Sequence, residues 1–208
     1  MSVTVVILVL TCVVSFVAFS NHDLINKLIF YPPAISHDKQ WYRFFTCGFI
    51  HADIGHLAFN MISLFLFGEM VEKAFVQIFD SNGELLYIIM YVSALAVCLL
   101  PTYSKQKENY SYRSLGASGA VSAVVFAGIL LFPFTRIGIL FIPLVIPGYI
   151  FGPIYLIASA YMGKKGGDNI NHSAHFWGAL YGITFVIIMS VALTDFNPID
   201  RFIGQVFH

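Results

Sequence analysis

Apolar residues in this chain gather into long runs separated by short polar stretches. A hydrocarbon layer about 30 Å thick takes roughly 20 apolar residues per helix. Six segments approach that length: 3–19, 49–70, 85–100, 118–133, 139–162 and 174–193. No Lys or Arg precedes the first, so it lacks the basic start of a cleavable signal and is expected to remain as a helix. Pro101 is expected to end the third, and the fourth fades at Pro133. The fifth is interrupted by Pro143, Pro147 and Pro153, and a short tail follows the sixth. The pattern predicts an all-α membrane protein with six transmembrane helices. It forms a single membrane domain over residues 1–208, with no soluble domain before or after it. There is no inverted internal repeat of the kind transporters carry and no linker or low-complexity tract.

Composition agrees. Of the 208 residues, 58% are hydrophobic and 11% charged, with mean hydropathy +0.80, whereas soluble domains carry about 25% charged residues. A formal net charge of zero gives no electrostatic case for nucleic acid. Cys12, Cys47 and Cys98 are odd in number and widely spaced. They offer neither a disulfide framework nor a zinc pattern, and read as small buried hydrophobes.

Ionisable and polar groups inside a membrane are costly and face the bundle interior, so each is a functional candidate. Ser118 lies in Gly116-Ala117-Ser118-Gly119 at the start of the fourth segment. Serine at such a place is also a favoured helix N-cap, and the soluble Gly-x-Ser-x-Gly elbow is not matched. In the second segment His56 and Asn60 are four apart and share a helix face. Two convergent donors near a nucleophile suit an oxyanion hole, and they equally suit an ordinary interhelical contact. In the sixth, His175, Gly178 and Gly182 share one face, and Gly-x-x-x-Gly lets another backbone come close. The fourth segment offers Gly119, Ala123 and Ala127 as the complementary surface. Close packing of those two helices would bring His175 to Ser118, at the 2.6–3.2 Å or so that a general base requires.

These residues, in this order, resemble the rhomboid intramembrane serine proteases of bacterial type. The matching elements are His56-x-x-x-Asn60, Gly116-Ala117-Ser118-Gly119 and Ala174-His175-x-x-Gly178-x-x-x-Gly182. Trp41-Tyr42-Arg43-Phe44-Phe45-Thr46 looks like the tryptophan–arginine stretch of the family's first loop, although Tyr42 separates two residues that are often adjacent. The resemblance runs from about Trp41 to Gly182. It implies Ser118 as nucleophile, His175 as general base, and His56, Asn60 and the Ser118 N–H around the oxyanion. Gly116 belongs to the backbone path before the nucleophile. The family uses a dyad without a catalytic acid, and Asp168, in the loop before the sixth segment, is not promoted to a third member. Some bacterial members place a tyrosine four residues after the serine, packed on the histidine. Ser122 stands there, so support for His175 must come from a hydrogen bond or another aromatic. His172 is near but is not expected to be catalytic.

The resemblance further implies substrates that are transmembrane segments of other membrane proteins, cleaved beside a small residue, with the lipid bilayer as the other partner. The proline-rich fifth segment, with Gly148 and Gly152, suits a mobile side gate. No cofactor, metal or nucleic acid is expected. The expected location is a bacterial inner membrane with the site opening away from the cytoplasm. The charges run against that orientation: Lys27, Lys39, Arg43, Lys105, Lys107, Arg113, Lys164 and Lys165 lie on the active-site side and only Lys73, Arg136 and Arg201 opposite, the reverse of the positive-inside rule. Three alternatives compete. A transporter or proton channel could use intramembrane histidines as a relay. A metal site could use His51, His56, His172 and His175, without a helical His-Glu-x-x-His. A rhomboid-like fold could bind membrane proteins without cutting them.

Overall fold

The first helix is built inside out. In a computed structural model of the chain, α1 (Val3–Phe19) buries Thr4, Thr11, Ser15 and Ala18 and exposes Val6, Val9, Leu10, Val13, Phe16 and Val17. Exposed apolar surface on this scale marks a contact with a membrane or another protein. The structure describes residues 1–139 and 142–207, with the backbone alone at residues 139 and 142–144. It is mostly helical.

The segment after α1 carries three short helices, α2 (His22–Leu28), α3 (Pro32–Asp38) and α4 (Arg43–Thr46). The long α5 (Ile54–Phe79) follows, then α6 (Gly83–Val97), α7 (Leu100–Gln106) and α8 (Ser118–Leu131). A two-stranded antiparallel hairpin, β1 (Arg136–Ile139) with β2 (Ile142–Pro147), precedes α9 (Gly148–Lys165), α10 (His172–Leu193) and α11 (Pro198–Phe207). Two stretches among the described residues are long and apolar enough to cross a membrane: Ile54–Gln106, which joins α5, α6 and α7, and His172–Leu193. Val3–Phe19 and Ser118–Leu131 are apolar but shorter.

The elements differ from expectation in four places. The fifth apolar segment does not begin as a helix: its first residues form the hairpin, and helix starts only after Pro147, the N-cap of α9. Residues 140–141 of that segment lie outside the described residues. The second segment starts late, at Ile54 behind its Asp53 cap, and runs on to Phe79. Pro101 does not stop the third segment's path but sits in the first turn of α7, where its missing N–H is harmless. The tail after α10 folds into α11.

α8 is the centre. Twelve of its residues, among them Ala120, Ala123, Ala127 and Leu131, are buried, and it packs on α5, α6 and, most closely, α10. A Cβ built at Gly178 would overlap the Gly119 carbonyl, and one at Gly182 the Ala123 carbonyl. The two helices therefore touch backbone to backbone, as the small-residue stripes predict.

Buried charge ties α1 to this core. Glu72 of α5, almost wholly buried, accepts from Val3 N at 2.7 Å, Thr4 N at 2.8 Å and Thr4 Oγ1 at 2.7 Å. Thr4 Oγ1 also lies 2.9 Å from the Tyr87 hydroxyl. A carboxylate at a helix N-terminus satisfies orphan N–H donors and meets the positive end of the helix dipole.

Candidate active site

The backbone before Ser118 is folded by contacts with the first loop. Phe30 and Ser114 exchange backbone hydrogen bonds of 3.0 and 3.1 Å, and Gly116 N donates to Cys47 O at 2.9 Å. Gly116 has φ +111°, and a Cβ there would lie 2.6 Å from His56 Cε1 and 2.8 Å from Nε2. Only glycine meets both conditions. The first loop is in turn stitched by buried Arg43, which donates to the carbonyls of Asn26 (2.9 Å) and Ile29 (2.8 Å) and to Gln40 Oε1 (2.6 Å). Trp41 stacks on Phe44.

Ser118 is the first residue of α8, behind the N-cap Ala117. It is therefore not the cap, and its hydroxyl is spent elsewhere: Ser118 Oγ and His175 Nε2 are 2.7 Å apart. The N–H groups of a helix's first turn have no intrahelical acceptor, so those of Ser118 and its neighbours are available where negative charge would develop.

His56 follows the Asp53 cap, whose Oδ1 accepts from His56 N at 2.7 Å. Its Nδ1 accepts a long hydrogen bond from Ala52 N at 3.5 Å. Its Nε2 is the nitrogen turned toward Gly116, two residues before Ser118. Asn60 is buried on the same face and donates from Nδ2 to His56 O at 3.1 Å. Half of its donor capacity is thus spent within its own helix.

Three contacts around the site depend on the fold and were not legible in the sequence. The ring of His51 packs edge-on against that of His56, centroids 4.9 Å apart, and its Nδ1 lies 2.9 Å from Ser15 Oγ. Ser15 itself donates to Phe49 O. The sequence offered His51 only as a possible metal ligand with His56; its contacts with that ring and with Ser15 follow from the fold. Second, Ser122 does not touch His175; its Oγ lies 3.1 Å from the Tyr155 hydroxyl of α9. Third, the His172 ring stands edge-on to that of His175 at 5.9 Å, and its Nε2 is 2.9 Å from Asp168 Oδ2. Asp168 thus reaches His172 and not His175. That hydrogen bond, with a second from Ile170 N, holds the Asp168 carboxyl below the ordinary carboxylate range.

The four histidines do not converge on one point. His51 and His56 form one pair and His172 and His175 another, and among the described residues no three His, Cys, Asp or Glu side chains could hold a metal ion together.

Comparison with known proteins gives a consistent picture. Residues 38–192 match the Rhomboid domain model. RHOMBOID-like protein 12, mitochondrial, of Arabidopsis thaliana is 32% identical over 144 residues, covering 64% of this chain and 42% of that protein. Rhomboid-like protein 11, chloroplastic, of the same plant is 27% identical over 157 residues, 72% of this chain and 53% of that one. The human presenilin-associated rhomboid-like protein, mitochondrial, is 31% identical over 141 residues, 66% and 35% of the two chains. The chain thus spans about half or less of the length of these relatives. Their organellar names give no support to a bacterial inner membrane in particular.

Proposed function

This chain belongs to the rhomboid family, and from that premise we propose that it is an intramembrane serine endopeptidase that cleaves transmembrane segments of other proteins. The observation that carries the reading is the 2.7 Å contact between Ser118 Oγ and His175 Nε2, at the N-terminus of a buried helix and beside the His56 ring. A serine hydroxyl is a weak nucleophile until a base takes its proton.

In the proposed reaction His175 Nε2 accepts the Ser118 proton as Oγ bonds to the scissile carbonyl carbon. The carbonyl oxygen becomes an oxyanion facing the Ser118 N–H, His56 Nε2–H and the remaining Asn60 N–H. The C–N bond then breaks and His175 gives its proton to the leaving amine. Water, deprotonated by the same ring, attacks the acyl-enzyme and releases the second product with Ser118 restored.

The bundle in this reading spans the bilayer with α1, α5, α6, α8, α9 and α10. The 14 residues of α8 reach only about 21 Å at 1.5 Å per residue. In this reading Ser118 sits below the membrane surface and water reaches it past the loop before α8. α9 has Ile150, Ile154, Ile157 and Tyr161 turned outward, and the Tyr155–Ser122 contact is the latch through which it closes against α8. We place the site on the face away from the cytoplasm, as the resemblance implies. The Lys and Arg count opposes this, although Arg43 is buried in carbonyl contacts and is no free surface charge.

The test is incubation of the purified full chain with a single-span substrate. Wild type should cleave, Ser118→Ala and His175→Ala should each be inactive, and the double variant should add little, because residues acting as a unit are non-additive. A fluorophosphonate should label wild type and not Ser118→Ala. Substantial cleavage by Ser118→Ala would overturn the serine-protease reading.

A further inference from the structure

We infer that His172, held by Asp168, is the positioning residue that fixes the His175 imidazole against Ser118. The inference rests on the protease reading and assigns the aromatic support that Ser122 cannot give.

His172 opens α10 and His175 is one turn on, so their side chains lie on the same face. Their rings meet at 79°, centroids 5.9 Å apart, the edge-to-face arrangement that aromatic pairs favour. An imidazole can rotate about two side-chain bonds, and only a narrow range of settings keeps Nε2 on Ser118 Oγ. A ring packed edge-on removes part of that freedom before substrate arrives.

A support is useful only if it is itself fixed, and His172 is fixed from three directions. Its Nε2–H donates to Asp168 Oδ2 at 2.9 Å. Its side chain is only 10% exposed, with the last turn of α9 passing close: a Cβ at Gly163 would lie 3.7 Å from His172 Cβ. The turn beneath it is capped by Asn171, whose Oδ1 accepts from Ala174 N and from Thr102 Oγ1, each at 3.1 Å. This last contact ties the start of α10 to α7. On the other side of the dyad, the hydroxyl of Ser122 is engaged with Tyr155 at 3.1 Å.

Asp168 is exposed and takes no direct part in the reaction. Its carboxylate orients His172, which orients His175. The arrangement is a chain of positioning contacts and not a proton relay, because the 5.9 Å between the imidazole centroids is edge-to-face packing and no hydrogen bond joins the rings.

The test compares His172→Ala, His172→Phe and Asp168→Ala with wild type and with Ser118→Ala, in full-length protein, on a single-span substrate and a fluorophosphonate. His172→Ala should lower kcat and the labelling rate at Ser118 by about 10-fold or more with KM nearly unchanged, since a misplacement of 1 Å can cost about 10²-fold. His172→Phe keeps a ring edge and loses the hydrogen bond; it should run faster than His172→Ala and slower than wild type. Asp168→Ala leaves the ring and removes its hold, and should fall between. A wild-type rate in His172→Ala overturns the inference, and so does His172→Phe as slow as His172→Ala. If His172→Ala does not fold, His172→Phe and Asp168→Ala decide: both must cleave more slowly than wild type, and a wild-type rate in either overturns the inference. Activity in Ser118→Ala would instead overturn the protease reading itself, so the two failures are distinguishable.

Discussion

The contact between α8 and α10 makes a quantitative prediction at Gly178. A methyl group there meets the Gly119 carbonyl, with the Gly119 carbonyl carbon at 2.9 Å and Cα at 3.2 Å. Carbon pairs settle at about 3.5–4.0 Å, the Gly119 carbonyl oxygen lies nearer still, and all are backbone, so the helices must part by about 1 Å or more. Gly178 is one turn from His175, so most of that shift reaches the imidazole. The Ser118–His175 contact, 2.7 Å in the intact protein, then exceeds the 3.2 Å or so within which a base abstracts a proton. Gly178→Ala should lower cleavage and fluorophosphonate labelling by about 10- to 10²-fold. The stability loss should be smaller in proportion: overpacking costs about 1–3 kcal/mol, and the better helix propensity of Ala returns about 1 kcal/mol. Gly204→Ala in α11 is the control, since a Cβ there meets nothing within 4 Å, and it should leave activity unchanged. Both rates and the thermal midpoint would be measured in one detergent. A folded Gly178→Ala protein that cleaves at the wild-type rate refutes the reasoning that these glycines set the dyad distance.

Three further outcomes follow from the same geometry. His56→Ala should lower turnover by about 10²–10³-fold, as loss of an oxyanion donor does, with the thermal midpoint nearly kept; parallel losses in stability and rate would mark His56 as a structural contact only. Glu72→Ala strands the Val3 and Thr4 donors and should cost about 3 kcal/mol or more in detergent unfolding, while an unchanged midpoint would show that α1 does not depend on this carboxylate. Tyr155→Phe unlatches α9 from Ser122 and should lose about 1 kcal/mol while raising kcat/KM for a single-span substrate; an unchanged or lower kcat/KM counts against α9 as the gate.

Hydrophobic run length read the first helix to its ends, 3–19, because nothing interrupts it. It failed where polar residues are satisfied by partners far along the chain. Glu69, Glu72 and Lys73 break the second run at about Met70, yet α5 continues to Phe79. Glu69 lies 3.7 Å from Lys73, one turn away, and Glu72 accepts hydrogen bonds from the start of α1, about seventy residues earlier. The start of the fifth run, at residues 139 and 142–147, failed differently. Their Ile, Val and Pro residues suit a buried strand as well as a helix, and apolar composition alone does not separate the two. The pairing of Ser118 with His175 was legible because it rests on small residues at helical spacing, a local signal on each of two helices. The support of His175 was not, since it depends on which way Asp168 and Tyr155 turn.

Beginning a helix inside a membrane protein leaves its first N–H groups without acceptors, at a cost of several kcal/mol each in a dry environment. α8 begins in this way. No side chain caps this start, and the first loop, tied at Phe30–Ser114 and Cys47–Gly116, orders only the backbone that precedes it. The donors that remain are those an oxyanion would occupy, so the unsatisfied helix end and the proposed catalytic pocket are one feature. The same loop carries Arg43 and Trp41, which sit well away from the dyad in sequence. Their part in the site is to keep that descending backbone in place, and a change there should reach Ser118 through Cys47 and Gly116 before it reaches His175.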